Sequence, residues 1–363
     1  MAAALVAFGS AATLQQATSS APPRITADGK GVGPQIGERV PDFSLPDAHG
    51  GMHTLASVMG PNGATIVFFR SADWCAPCKA HLIEMQNHLE QLHRLGLNVI
   101  AISRDSQAIL AEFVSRHGIT YPLLSDATSS VIKEFGVLDV AVAPTRTEES
   151  GGPPYYGVPY RGTITVNHEG VVTSTFFQKT YQEHTTISSI LLSLGKNVGV
   201  PARRISAPHV DVTSFTSDQA VAPGAHFLIV LDIRPASHVH VYAPGNPSYR
   251  PIALTIPAQP GIVTIGGADL PKPEDFFFKP LNEHVAVYQR PFRMTQNVMV
   301  DPSSQGQAAL KDATKVVVNG TFDYQACDDK DCFNPQSLPL TWTVNLRPLD
   351  NTRIVVPKVA GNR

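Results

Sequence analysis

A chain of 363 residues is long enough for two domains, each with a full core. With 43% hydrophobic residues, 16% charged residues and a formal net charge of −2, it has a soluble globular composition with almost no charge bias. No basic run or patch suits nucleic acid, and no apolar stretch approaches the roughly 18 residues that cross a bilayer.

Residues 1–35 are small and polar, with Gly and Pro among them, and predict a disordered or signal-like leader. Residues 2–8 are apolar, yet no Lys or Arg precedes Arg24, so the positive start of a secretory signal is missing. From residue 36 to 195 strand and helix patterns alternate, which predicts an α/β domain with a mixed sheet. Residues 64–69 form a continuous apolar run, as in a strand covered on both faces. A helix follows, with Leu82, Met85, Leu89 and Leu92 on one face and Gly96 at its end. Residues 97–103 read as a second buried strand, and 164–166 with 171–176 as a hairpin-like pair. A last helix carries Ile187, Ile190, Leu191 and Leu194 at helical spacing. Residues 143–157, rich in Pro and Gly, read as a mobile loop, and 196–208 as a linker.

The period then changes from 3.6 to 2. Phe227, Ile229, Leu231 and Ile233 alternate with other residues, as do Leu340, Trp342, Val344 and Leu346. Such runs between Pro/Gly-rich turns predict an all-β sandwich over residues 209–348, with Trp342 in its core and 349–363 as a polar tail.

The four cysteines fall into two close pairs, Cys75/Cys78 and Cys327/Cys332. Cys75 lies where an apolar strand gives way to a helix, so unpaired N–H groups and the helix dipole favour its thiolate. Cys78, one turn on, is placed to attack a mixed disulfide at Cys75. Pro77 suits the first helical turn. A structural disulfide and half of a zinc site are the alternatives. His238 and His240 share a strand face compatible with metal ligation, but a solvated face is the commoner meaning of that pattern. His81, His88 and His93 lack an i, i+4 ligand spacing and read as solvated. No cofactor and no metal is expected.

Residues 36–195 resemble the thioredoxin-like superfamily, in the redoxin branch of alkyl hydroperoxide reductases and thiol-specific antioxidant proteins. The stretches that carry the resemblance are Gly37–Phe43, Trp74-Cys75-Ala76-Pro77-Cys78-Lys79, residues 121–126 and residues 162–166. It implies catalytic Cys75 and Cys78, and a substrate groove bordered by Trp74, Pro77 and Pro159. The position that thioredoxins give to a cis-proline falls on Arg161, where peroxiredoxins carry an arginine that helps to polarise a peroxide. The peroxiredoxin Thr and Pro before the cysteine are replaced by Ala72 and Phe68, so the site is a hybrid.

Residues 205–348 resemble the periplasmic N-terminal domain of the disulfide reductase DsbD, through residues 238–244 and the Cys327/Cys332 stretch before the last strong strand. That resemblance implies an immunoglobulin-like sandwich with a redox-active Cys327/Cys332 pair, and a periplasmic or secreted location; otherwise the protein is cytoplasmic. Asp328, Asp329 and Asp331 should raise the thiol pKa values of this pair, and a static disulfide is its alternative.

Three functions follow. The leading one is a thiol–disulfide oxidoreductase acting on protein disulfides or on small disulfides, with the two pairs exchanging electrons and a thioredoxin-like or other thiol donor supplying them. The second is a thiol-dependent peroxidase acting on peroxides. The third joins a redox domain to a non-catalytic β module that binds a partner.

Overall fold

The computed structural model describes residues 31–142, 156–177, 182–193, 195–196, 198, 200–245, 249–278, 282–328 and 330–354. The leader expected over residues 1–35 falls mostly outside them, as does most of the loop expected at 143–157.

Strand Gly63–Phe68 is buried at every residue and forms the middle of a five-stranded sheet. Leu97–Ser103 and then Leu123–Ser125 add in parallel on one side. Gly162–Val166 and Val172–Phe177 add antiparallel on the other. One face packs Val67, Phe69, Val99 and Ala101 under Leu82, Met85, Leu89 and Leu92 of helix Ala76–Arg94. The other face packs Ile66, Phe68, Ile100 and Ile164 against Phe135 and Val137. This is the thioredoxin-like α/β arrangement that the sequence predicts. Gly96, at φ 74°, ends the helix in a left-handed turn. Gly162 is required by close packing, because a Cβ there would lie 2.2 Å from the Phe177 ring.

The described residues from Arg203 to Leu346 are largely β and form three sheets. The largest runs through Ile262–Asp269, Phe292–Val300, Ala225–Pro235, Val210–Thr216 and Arg203–Ala207. A second pairs Lys315–Tyr324 with Gln336–Leu346 over ten residue pairs. Phe227, Ile229 and Leu231 of the first sheet share a core with Val316, Val318 and Val344 of the second. Trp342 lies in that core, as expected, and its indole Nε1 donates to Ser214 Oγ at 2.7 Å. The third, smaller sheet joins Glu274–Phe278, Glu283–Tyr288, His240–Tyr242 and Ala326–Cys327.

Two boundaries differ from expectation. The linker expected at 196–208 already contains strand Arg203–Ala207, an edge strand whose exposed arginines hide its pairing with Val210–Thr216. The tail expected at 349–363 is not loose in its described part. Residues 349–354 return to the α/β domain, where Ile354 is buried in the core of helix Ala76–Arg94.

The two domains also meet through the end of the first. Strand His184–Thr185 pairs in parallel with Ala225–Pro235, and helix Ile187–Ser193 buries Ile187, Ile190 and Leu191 beside Met85 and Leu89. Glu84 joins this junction, accepting the Ile187 N–H at 2.7 Å and facing His184 Nε2 at 3.2 Å.

Candidate active site

Cys75 is the N-cap of helix Ala76–Arg94, with no side-chain cap of its own and Pro77 in the first turn. The open N–H groups of that turn therefore lie beside its sulfur, a setting that favours a thiolate when the thiol is reduced. In the structure Cys75 and Cys78 form a disulfide, with S–S 2.04 Å and Cα–Cα 5.2 Å. Cys75 is 2% exposed and Cys78 fully buried.

Arg161, on the residue before strand Gly162–Val166, is also buried, and its Nη2 donates to Pro77 O at 3.0 Å. Burial draws its guanidinium pKa down to about 9, against the raising effect of Glu84. It remains a cation at neutral pH, beside the first turn that carries the disulfide. Trp74 stands before Cys75, with the Arg70 guanidinium 5.8 Å from its ring centre. The structure thus brings Trp74, Cys75, Pro77, Cys78 and Arg161 together. Pro159 is trans, as are all peptide bonds among the described residues, and it bridges to Leu138 beside Val158 and Tyr160.

Several residues that the sequence did not single out complete the site. Asp105, buried, accepts the Ala72 N–H at 2.6 Å and the Ser71 hydroxyl at 2.8 Å, which fixes the loop leading to Trp74. Burial raises its carboxyl to about 6. Asp73 is held by Arg353 and by the Ile354 N–H. Burial pushes the Asp73 carboxyl up, but those partners outweigh it and leave it below its ordinary value. Lys79, 1% exposed, donates to Thr352 O at 2.6 Å and pairs with Asp350 at 3.3 Å. Burial lowers its ammonium pKa against the pull of Asp350.

His81, expected to be solvated, is instead 4% exposed. Its ring lies 5.2 Å from that of His184, and burial pushes its pKa down to about 3, helped by His184 and Arg161. The signal was present in the spacing: Cys78, His81 and Glu84 recur every three residues on one helix face, and His184 and Ile187 at the end of the same domain pack on it. His88 meets Glu84 O and Ser188 Oγ. His240, grouped with His238 on a solvated face, is 2% exposed and packs on Phe276, whereas His238 is exposed. Among the described residues no His/Cys/Asp/Glu group has a metal-binding arrangement.

Cys327 and Cys332 also form a disulfide. Cys327 is buried and Cys332 exposed. Tyr242 Oη lies 3.5 Å from Cys332 Sγ and its ring stacks on Tyr249, whose hydroxyl donates to Glu283. Asp328 accepts the N–H groups of Asp331 and Lys330, which lowers its carboxyl pKa.

A cleft of ≈ 680 Å³ opens over Cys75, lined by Trp74 to Pro77 on one side and by Leu310, Asp312, Thr314, Leu346 and Arg347 on the other. Leu346 ends strand Gln336–Leu346, and Cys332 stands just before its beginning. That strand has 11 residues. At about 3.3 Å per residue the two sulfur pairs are therefore separated by on the order of 30 Å. Strand Lys315–Tyr324 gives the same separation, since Thr314 lines the cleft and Cys327 lies beyond the other end. The direct exchange expected between the two pairs of one chain is out of reach in this arrangement, because thiol–disulfide exchange needs sulfur–sulfur contact.

A thioredoxin-like sheet bearing a buried Cys-x-x-Cys at a helix start defines a thiol-dependent oxidoreductase. Residues 36–175 match the model of the AhpC/TSA family. The Mycobacterium tuberculosis protein named "Putative peroxiredoxin Rv2521" is 32% identical over 136 residues, 38% of this chain and 80% of that protein. Alkyl hydroperoxide reductase C of Staphylococcus aureus is 29% identical over 114 residues, 30% of this chain and 52% of that protein. The thiol peroxidase structure from Chromobacterium violaceum has 23% identity and a TM-score of 0.36, covering 45% of this chain and 90% of that one. The chain belongs to the AhpC/TSA family, and its enzymatic character is that of a thiol-dependent oxidoreductase or peroxidase.

Proposed function

We propose that the protein is a thiol–disulfide oxidoreductase in which Cys75 is the nucleophile and Cys78 the resolving thiol. The observation that carries this reading is the Cys75–Cys78 disulfide closed across the first turn of a helix whose N-cap is Cys75. In the reduced enzyme, the Cys75 thiolate attacks one sulfur of a disulfide substrate and the other sulfur leaves as a thiolate, which takes a proton. Cys78 then attacks the Cys75 sulfur, releases the second substrate thiolate and regenerates the internal disulfide. A thiol donor returns two electrons to complete the cycle.

Peroxide reduction is the second reading, favoured by family membership and by the buried Arg161 cation over Pro77. There Cys75 attacks the terminal peroxide oxygen, forms a sulfenic acid and releases water or an alcohol; Cys78 then condenses with it and water leaves. Comparing wild type, Cys75→Ser and Arg161→Ala separates the two. Peroxide consumption lost in both variants supports the peroxidase; disulfide reduction lost only in Cys75→Ser supports the oxidoreductase.

For the β region we infer a DsbD-like, immunoglobulin-like module. The support is the pairing of Cys327 with Cys332 on adjoining extended segments beneath Tyr242. Its pair is served by a separate thioredoxin-like or other thiol donor, and two disulfides in one chain favour a periplasmic or secreted location. If the module instead only binds a partner, Cys327→Ser will lower stability and leave all thiol exchange at Cys75 unchanged. Protease accessibility in intact and osmotically shocked cells tests the location.

A further inference from the structure

The cleft over Cys75 is walled on one side by the β region, which narrows what can reach that cysteine. Cys75 is 2% exposed, and the β region forms the wall opposite it. The segment that follows the wall's last strand is pinned beside the cysteine by two separate attachments, Arg353 on Asp73 and Asp350 on Lys79. Asp73 and Lys79 are themselves less than a tenth exposed. A wall held in this way hinders a folded protein from bringing a surface disulfide to Cys75. A volume of ≈ 680 Å³ falls instead in the range of small-molecule sites.

The chemistry of the wall narrows the class. Leu310, Leu346 and Pro348 present apolar surface, while Arg347 and Asp312 place one cation and one anion on the same side of the cleft. Both charged side chains are exposed and neither makes an ion pair among the described residues. A ligand carrying both a carboxylate and an ammonium group complements this pair, as amino-acid and short-peptide thiols do.

We propose that Cys75 reduces low-molecular-weight disulfides of amino-acid or peptide thiols, with Arg347 and Asp312 as the groups that bind their charged ends. This deepens the thiol–disulfide reading and rests on it. Cys75 forms a mixed disulfide with one half of the substrate, R–S–S–R, and the other half leaves as R–S⁻. Cys78 displaces the second R–S⁻, and the two electrons lost by the dithiol are those gained by the substrate. A dithiol reductant restores the enzyme.

The test uses the full chain with dithiothreitol as reductant and three substrates: oxidised glutathione, the uncharged hydroxyethyl disulfide, and insulin. The expected order of kcat/KM is oxidised glutathione first and insulin last. Arg347→Ala and Asp312→Ala are each expected to raise KM for oxidised glutathione by about threefold to tenfold, and by more than they raise KM for hydroxyethyl disulfide. The double variant Asp350→Ala/Arg353→Ala, which releases the wall, is expected to gain insulin reduction. Insulin turned over by wild type as efficiently as oxidised glutathione overturns this proposal and leaves the thiol–disulfide reading standing. An unmoved KM in both charge variants overturns the assignment of Arg347 and Asp312. No turnover of any disulfide overturns the proposal together with the reading beneath it.

Discussion

Arg353 grips Asp73 with two parallel bonds, Nε to Oδ1 at 2.9 Å and Nη2 to Oδ2 at 2.6 Å, although 280 residues separate them. The C-terminal segment of the β region is thereby tied two residues before the nucleophilic cysteine. Arg353→Ala leaves a carboxylate 9% exposed with the Ile354 N–H as its remaining close donor. Because the arginine side chain is 54% exposed, the loss is moderated by solvent, and about 1–2 kcal/mol of stability is expected to go. Urea unfolding measures it. Arg353→Lys should recover only part, since an ammonium cannot reproduce the planar fork.

Acid should loosen the junction through His81. Its pKa is about 3 in the fold against 6.5 for the free side chain, so the unfolded chain takes up the proton first. The group's contribution to stability is complete above pH 6.5 and is lost as pH falls towards 3. Between pH 6.5 and 5 wild type is expected to lose about 2 kcal/mol on this account, and His81→Leu should not. Asp105 and Asp218, both raised to about 6, act in the opposite sense: their contributions are complete below about pH 4 and lost as pH rises through 6. Both remain in the variant, so the difference between the two unfolding curves isolates His81. Parallel curves from pH 7 to 5 would refute the assignment.

Local pattern carried much of this fold into view. The apolar run around Val67 and the stripe of Leu82, Met85, Leu89 and Leu92 each follow one simple period, and each became a buried strand or helix face. The Cys-x-x-Cys spacing, with Pro77 between, marked the helix start directly. What escaped depends on partners far away in the chain. His81 and Glu84 are polar and sit on a helix, and the residues that cover them, His184 and Ile187, come about 100 positions later in the chain. Arg203–Ala207 looks like a linker because an edge strand can expose its charged residues to water. Asp350 and Arg353 look like tail residues because their partners, Lys79 and Asp73, lie over 270 positions upstream.

The bond from Ile187 N–H to Glu84 holds the end of the first domain, whose strand His184–Thr185 pairs with the β region, against helix Ala76–Arg94. Glu84→Leu removes the acceptor for that N–H and for His184, leaving polar groups buried without it. A loss of about 3 kcal/mol is expected. It should fall on the junction more than on the β core, so calorimetry is expected to show one transition for wild type and two for Glu84→Leu. Glu84→Gln keeps one carbonyl oxygen for the Ile187 N–H and should split it less. One undivided transition in Glu84→Leu would mean the domains are held by other contacts.

The separation of the sulfur pairs makes a kinetic prediction. With Cys75/Cys78 at one end of strand Gln336–Leu346 and Cys332 before the other, exchange between them cannot occur by direct contact within the folded chain. Protein reduced at one pair and oxidised at the other should therefore equilibrate by collision between molecules. The initial rate per molecule is expected to rise in proportion to protein concentration over a tenfold range, followed by alkylation and mass mapping of each pair. A shared small thiol would accelerate it at fixed protein concentration. A rate independent of dilution would require Cys75 to reach Cys327 or Cys332 within one molecule. Such a rate would demand release of the attachments at Asp73, Lys79 and Glu84, and Arg353→Ala should then make it faster.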